Sequence, residues 1–459
     1  MIDLAGRRVT VLGLGRHGGG LGAARYLAQH EARVTISDTA TAEALSAPLA
    51  ALAALNDASI ERLSLGGHDP RDIHDAELIV VNPAVRPDSP LLKLANVSGV
   101  ACTSEIELFL RACPAQLIGA TGTNGKSTTV TLIAEMLRAA GRRCWLGGNV
   151  GGSLLDVVEE MSATDWVVIE LSSFQLARLP EGCPVPAIVV VTNCTPNHLD
   201  WHGDWKAYVA AKQRLLSLQQ GDDVAIVGVT PDVVDDWRRS ARGKVFVADE
   251  LPTAPVPSDW PPHLRTNARL AAAAARAAGA NEAAIAAGLH SFRPLEHRQQ
   301  EIGAVAGRTF IDDSKATTPE ATIAALAAQA GPVWLLMGGS DKQCDFAPLV
   351  QQAIRHARGV ACYGAVGDRL AEQLAEQLAK QCPAGIAALP IAALATLDDA
   401  LDWCWRHSSP GDTILLSPGC ASHDQYADYV ARAGHFRRLV NDLRAEGSNA
   451  RQNGLAQRR

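Results

Sequence analysis

One stretch limits the possible folds of this chain more than any other. An apolar strand at Leu117-Ile118 runs into Thr121-Gly-Thr-Asn-Gly-Lys-Ser-Thr-Thr, and a helical run follows from Val130 to Ala140. A glycine-rich loop at a helix N-terminus aims backbone N–H groups and the positive end of the helix dipole at phosphate oxygens. Gly122, Thr123, Asn124 and Gly125 would form the cradle, Lys126 would reach the β- and γ-phosphates, and Ser127 or Thr128 would offer a hydroxyl to Mg²⁺. A strict P-loop has glycine where this chain has Ala120, so the loop is a variant of the pattern. A Gly-Lys-Ser met by chance in a loop is the bland alternative, and the strand–loop–helix context favours nucleotide binding over it.

That strand–loop–helix step repeats. Short Val/Ile/Leu runs at Val9 to Leu12, Val34 to Ser37 and Leu78 to Val81 alternate with Ala-rich helical stretches. A second unit carries strands at Trp166 to Glu170 and Ala187 to Thr192, and a third runs from Arg308-Thr-Phe-Ile through Val333 to Met337 and Val360 to Tyr363 to Thr413 to Ser417. A βαβ rhythm implies parallel sheets covered by helices, an α/β fold. At roughly 150 residues per domain, the 459 residues suggest about three domains. Turn-rich Phe292-Arg-Pro-Leu-Glu-His-Arg reads as the last junction, and the expected domains are 1–108, 109–297 and 298–445, with 446–459 a disordered tail.

Three further places carry candidate chemistry. Gly13-Leu-Gly15-Arg16-His17-Gly18 follows a strand and opens a helix, with Asp38 at the end of the next strand. That turn suits a dinucleotide cofactor or another nucleotide diphosphate equally, with Asp38 on a ribose. Glu170 and His198 lie just past strand ends, where an α/β sheet presents its ligand-binding edge, and could complete the coordination of Mg²⁺ on nucleotide phosphates. Alone, each reads more readily as structural. Lys212, in Tyr208-Val-Ala-Ala-Lys212, reads locally as a solvated helical lysine.

The P-loop, Gly147-Gly-Asn149-Val-Gly, Glu170-Leu-Ser-Ser-Phe-Gln175, Asn193 to Asp200, Tyr208 to Lys212, Asp313-Ser-Lys315-Ala-Thr317 and Ser417-Pro-Gly-Cys-Ala-Ser422 occur in that order. Together they resemble the Mur ligases, most closely the glutamate-adding branch, over nearly the whole chain. The resemblance implies three domains: an N-terminal Rossmann-like domain for a UDP-sugar, a central P-loop ATPase domain and a C-terminal Rossmann-like domain closing over them. It assigns the first glycine turn, with Gly15, Arg16, His17 and Asp38, to UDP. It implies ligation of D-glutamate to UDP-N-acetylmuramoyl-L-alanine through an acyl phosphate, with ATP and Mg²⁺ as cofactors.

Site roles follow from the same resemblance. Lys126 clamps phosphate, Ser127 and Glu170 hold one Mg²⁺, and His198 a second. Lys212 becomes a carbamylated lysine, turned from cation to anion, on the second Mg²⁺, which reverses its local reading. Asn149 contacts the muramoyl-alanine substrate, Asn267 adenine, and Arg298, Asp313 and Lys315 the rest of ATP. Lys342, Thr317, Ser422 and Tyr429 form the glutamate pocket. Tyr429 and His423 depart from the residues usual beside glutamate in the family, and Leu264 from a usual asparagine near adenine.

Two alternatives stay open: a sister ligase adding L-glutamate or another amino acid, and a catalytically silent nucleotide-sugar sensor. The sensor should lack Lys126, Glu170, His198 or Lys212, and all four are present. With 42 Lys and Arg against 49 Asp and Glu, the net charge of −7 leaves no basic excess to hold nucleic acid. The longest apolar runs are strand-sized, so no membrane span is expected, and the N-terminus lacks the layout of a signal peptide. A cytoplasmic monomer with reduced thiols is expected.

Overall fold

The computed structural model describes residues 3–456 apart from 16–17, 54–58, 150–151, 229–232, 259, 294, 341–343 and 382–388. It contains three sheets with helices against them. The first joins β1 (Arg8–Leu12), β2 (Arg33–Asp38), β3 (Ile60–Leu65), β4 (Leu78–Val81) and β5 (Ala101–Thr103) in the order β3-β2-β1-β4-β5. The second joins β6 (Gln116–Thr121), β7 (Cys144–Gly148), β8 (Trp166–Glu170), β9 (Ile188–Val191), β10 (Val224–Val227) and β11 (Lys244–Val247) in the order β11-β10-β9-β6-β8-β7. The third joins β12 (Gln300–Val305), β13 (Arg308–Asp312), β14 (Val333–Gly338), β15 (Ala357–Tyr363), β16 (Ile391–Leu394) and β17 (Thr413–Leu416) in the order β12-β13-β17-β14-β15-β16. Only the β12–β13 pair is antiparallel among the paired strands.

Parallel sheets covered on both faces need strands that are apolar throughout, not alternating. The central strands comply: β4, β8, β9 and β14 are buried at every position. Beneath the second sheet, the helix Lys126–Ala139 buries Val130, Leu132, Ile133, Met136 and Leu137 among Ile118, Val168 and Val190. Ala-rich helix Pro262–Ala277 enters the same core through Ala268 to Ala275. Small side chains there let backbones approach: a Cβ on Gly288, in the helix Glu282–Ser291, would overlap the backbone of Met136.

The chain divides into two compact units, 1–196 with 201–260 and 264–292, and 197–200 with 261–263 and 293–459. The first contains two sheets, joined through the helix Glu105–Ala112, where Ser153 Oγ donates to Glu105 at 2.6 Å. The third sheet, in the second unit, encloses an apolar layer on each face, one around Leu335, Leu349, Val360 and Leu415, the other around Phe310, Leu336, Leu401 and Phe436. The final helix, Tyr429–Ala456, continues past 445 into the segment expected to be disordered. No helix among the described residues is long and apolar enough to cross a membrane.

Candidate active site

The P-loop leaves the carboxyl end of β6, a central strand. Its helix starts after Gly125, which sits at φ 82°, and no side chain caps the first turn. The leading N–H groups and the dipole therefore favour an anion. Two glycines are required by the fold itself: a Cβ on Gly122 (φ 147°) would overlap Thr192 Oγ1, and one on Gly125 would press into the Asn267 amide. Buried Asn267 thus lies against the loop from the helix Pro262–Ala277.

The loop is braced by the strand end beside it. Asn193 accepts the N–H of Asn124 at 2.9 Å and donates to its carbonyl at 3.0 Å, while Thr123 N–H donates to Asn193 O at 3.0 Å. Thr192 Oγ1 donates to Asn124 O at 2.5 Å, and Thr123 Oγ1 meets Tyr208 Oη at 2.9 Å. None of these three bracing side chains was singled out from the sequence, although all lie in or beside quoted motifs. Lys126 Nζ donates to the carbonyls of Gly122 (3.0 Å) and Thr123 (2.8 Å). Ser127 and Thr128 are buried in the first turn.

Glu170 ends β8, the neighbour of β6, and is 2% exposed. Its Oε1 accepts Asn149 Nδ2 at 3.1 Å, and Asn149 N–H donates to its carbonyl at 3.0 Å, so exposed Asn149 is held on a buried carboxylate. Lys212 corrects the local reading. Its helix, Trp205–Ser217, is capped by Asp204, but Lys212 faces inward at 1% exposure, with Nζ donating to Gly122 O at 2.8 Å and lying 4.5 Å over the Tyr208 ring. Burial, and then the charge of Lys126, hold the amine well below its ordinary value of 10.5, while Cys194 and Glu170 pull the other way. His198 adopts a left-handed backbone, φ 55°, with its N–H on Asn197 Oδ1 at 2.9 Å, in the short segment 197–200 that groups with the second unit.

In the first sheet, Gly18 at φ 92° precedes the uncapped helix Gly19–Gln29, a second anion-ready N-terminus. Asp38 is 7% exposed and accepts the N–H of Gly15 at 3.1 Å on one oxygen and of Ala40 at 2.8 Å on the other, tying the glycine turn to the end of β2. Asn82 anchors the turn from β4 by donating to Gly13 O at 3.0 Å. Buried Asp72 supports β2 by accepting from Ser37 Oγ at 2.7 Å and pairing with Arg62 at 2.7 Å. Neither Asn82 nor Asp72 is marked by a local motif. Arg16 and His17 lie outside the described residues.

In the second unit, Asp313 is buried; it accepts Ser417 Oγ at 2.7 Å and the N–H of Gln299 at 3.1 Å. Burial nevertheless pushes its carboxyl up to about 7, against the opposing pull of those bonds and of Arg298. Lys315 lies 5.0 Å over the Tyr429 ring, which meets His297 edge-on at 6.1 Å, and Lys315 N–H donates to His297 O. His297 and Gln299 take left-handed φ of 61° and 46° at the junction, a conformation uncommon outside glycine. Thr317 N–H donates to Lys315 O at 2.9 Å and Ser422 is 2% exposed, while Lys342 lies outside the described residues.

The first unit's donor set suits a hard divalent cation: a buried carboxylate, Glu170, and a buried hydroxyl in the first turn after the phosphate loop, Ser127, both oxygen chemistry. No three His, Cys, Asp or Glu side chains among the described residues form a metal cage. Mg²⁺ is usually held by one or two carboxylates together with substrate phosphates, so such a cage is not required. A braced P-loop with a buried acid and a buried lysine beside it, at the carboxyl edge of a parallel sheet, is the arrangement of proteins that work on the phosphates of a nucleoside triphosphate.

Comparison with known proteins makes that class specific. Family models described as the Mur ligase MurD-like N-terminal domain, the Mur ligase middle domain and the Mur ligase glutamate ligase domain match residues 7–104, 120–248 and 297–420. The UDP-N-acetylmuramoylalanine–D-glutamate ligase of Acidobacterium capsulatum is 33% identical over 99% of this chain and 100% of its own length. The enzyme of the same name from Roseiflexus is 34% identical over 96% of this chain and all of its own. In fold, the chain is similar to the MurF ligase of Thermotoga maritima in complex with ADP (TM-score 0.58, 15% identity, 98% of this chain and 100% of that one). It is likewise similar to the UDP-N-acetylmuramate–alanine ligase of the same organism (TM-score 0.57, 17% identity, 96% of this chain and 100% of that one). The chain belongs to the Mur ligase family, ATP-dependent ligases that form amide bonds.

Proposed function

We propose that this enzyme joins D-glutamate to UDP-N-acetylmuramoyl-L-alanine, as a cytoplasmic monomer making a peptidoglycan precursor. Domain 1–108 holds the UDP-sugar through Gly15 and Asp38, 109–297 carries ATP, and 298–445 brings the amino acid. A carboxylate is a poor electrophile toward an amine, so the γ-phosphoryl group of ATP first passes to the alanyl carboxylate. Attack by the glutamate nitrogen on that acyl phosphate breaks its carbonyl C–O bond, expels phosphate and leaves an amide.

Such a reaction needs alignment and charge neutralisation more than covalent help from the protein. Lys126 and the N–H groups after Gly125 neutralise the moving phosphoryl oxygens, Asn149 orients the alanyl end, and Asn267, Arg298, Asp313 and Lys315 hold the nucleotide. Ser127, Glu170, His198 and a carbamylated Lys212 would hold Mg²⁺, which supplies charge neutralisation on phosphate when bound. Thr317, Lys342, Ser422 and Tyr429 receive glutamate.

The observation that carries the reading is Lys212. Burial favours the neutral form of this amine, the form whose nitrogen adds CO₂ and loses a proton to become a carbamate anion. The choice of D-glutamate is supported by the names of the relatives at 32–35% identity. The test is phosphate release from ATP with UDP-N-acetylmuramoyl-L-alanine and, separately, D-glutamate, L-glutamate and other amino acids. Release confined to another amino acid refutes the substrate, and no release with any refutes the activity.

A further inference from the structure

Arg432 is fully buried in the helix Tyr429–Ala456, yet no carboxylate pairs with it among the described residues. Its Nε donates to Ser314 Oγ at 3.0 Å, Nη2 to Ser314 O at 2.8 Å and Cys420 O at 3.2 Å, and Nη1 to Cys420 O at 3.3 Å and Ala421 O at 3.4 Å. Guanidinium has five N–H donors, so the whole fork is engaged, and by backbone carbonyls for the most part. These acceptors lie on two different loops: the one after β13, with Asp313, Lys315 and Thr317, and the one after β17, with Ser422. An unpaired buried charge is expensive unless its hydrogen bonds are complete, so these carbonyls have little freedom to turn away.

The orientation of the carbonyls has a consequence for the amides behind them. In a planar trans peptide, N–H points opposite to C=O. Lys315 N–H, behind the Ser314 carbonyl, accordingly donates to His297 O at 3.1 Å. The Ala421 carbonyl also accepts the N–H of Ser340 at 2.9 Å, which fixes its peptide plane from a second side. Behind it, the N–H of Ser422 faces the other way, and neither that N–H nor Ser422 Oγ has a hydrogen-bond partner among the described residues, although Ser422 is 2% exposed. The N–H and the hydroxyl of Ser422, two donors on one residue with no partner among the described residues, are open to an acceptor from outside the chain. A carboxylate, all acceptor, is the chemical fit.

We propose that Arg432 is a positioning residue for the amino-acid substrate: by gripping the carbonyls of residues 314, 420 and 421, it turns the Ser422 N–H toward a substrate carboxylate. This rests on the glutamate-ligase reading above. The planar fork matters as much as the charge, because lysine offers three donors from one point and cannot span both loops.

The test is steady-state kinetics of wild type, Arg432→Lys and Arg432→Met, with UDP-sugar, ATP and D-glutamate varied in turn. The expected result is a rise of about tenfold or more in KM for D-glutamate in both variants, as loss of one hydrogen bond to a charged group implies, with KM for the UDP-sugar within about twofold of wild type. An unchanged KM for D-glutamate, or equal rises for all three substrates, overturns the inference. Should neither variant fold, amide hydrogen exchange of the wild-type enzyme decides. With the UDP-sugar and a non-hydrolysable ATP analogue bound, D-glutamate should slow exchange at residues 419–423, and unchanged exchange there refutes the role. A wild-type enzyme that ignores D-glutamate overturns the proposed substrate itself, and this inference with it.

Discussion

Replacing Lys212 with methionine should make the protein more stable and inactive. Methionine has nearly the same length and fills irregular space well, so the change removes the polar head with little change in volume. Lys212 Nζ donates one hydrogen bond, to Gly122 O, and losing such a bond costs about 1 kcal/mol net. The acceptor is not orphaned, because Lys126 Nζ also reaches Gly122 O at 3.0 Å. Against that loss, relieving the burial of an amine gains about 1–3 kcal/mol. The balance favours the variant by about 0–2 kcal/mol, and at roughly 2–4 °C per kcal/mol for a domain of this size the melting point should rise by a few degrees at the middle of that range.

The assay pairs thermal melts in bicarbonate-free buffer without substrates with turnover under saturating substrates. The pH dependence gives an internal check. Lys212 is depressed in the fold and ordinary, near 10.5, in the unfolded chain. Between the two values the unfolded chain binds one more proton, so wild-type stability rises with pH across that window. The methionine variant has no such group, and its advantage should shrink as pH approaches 10.5. A variant that melts below wild type, or one that turns over normally, refutes the reasoning. A lysine retained against stability fits a site under functional demand.

Other substitutions test separate parts of the site. Asn193→Ala removes two side-chain bonds to Asn124, together about 1–3 kcal/mol, and should raise KM for ATP at least fivefold while leaving KM for the UDP-sugar unchanged. Asp38→Ala should do the reverse, because it unties Gly15 from Ala40 at the glycine turn of the first sheet; the same kinetic runs distinguish them. Asp313 is raised from 3.8 to about 7, so the stability it adds is present below 3.8 and lost as pH rises through about 7. Asp313→Asn should therefore gain on wild type in melting point between those values, and melts across that range measure it. Lys212→Ala should lose turnover and regain part of it with added short carboxylates such as acetate, read as phosphate release.

What could be read before folding, and what could not, separates along physical lines. The strands recognised in the sequence are central ones, such as β1, β4, β8, β9, β14 and β17, whose two covered faces demand uninterrupted apolar residues. All six edge strands, β3 and β5, β7 and β11, β12 and β16, escaped notice. An edge strand pairs on one side and is half exposed, so sequences such as Ile60-Glu-Arg-Leu-Ser-Leu65 and Gln300-Glu-Ile-Gly-Ala-Val305 carry no clear signal. Interior β10, Val224–Val227, goes unmarked as well, although it is as long as β4 and β9 and nearly as buried.

The amino-acid sequence by itself determined the phosphate loop, the order of the βαβ units and the family, because glycine turns and the helices they open are local, contiguous features. The tertiary structure alone decided what those motifs lean on. Lys212 reaches Gly122 across 90 positions, Asn193 reaches Asn124 across 69, and Arg432 reaches Ser314 across 118. Burial depends on every element packed around a side chain, so the same lysine reads as a solvated cation in a linear sequence and is a buried amine pushed toward its neutral form beside the phosphate loop once the sheet and helices close around it.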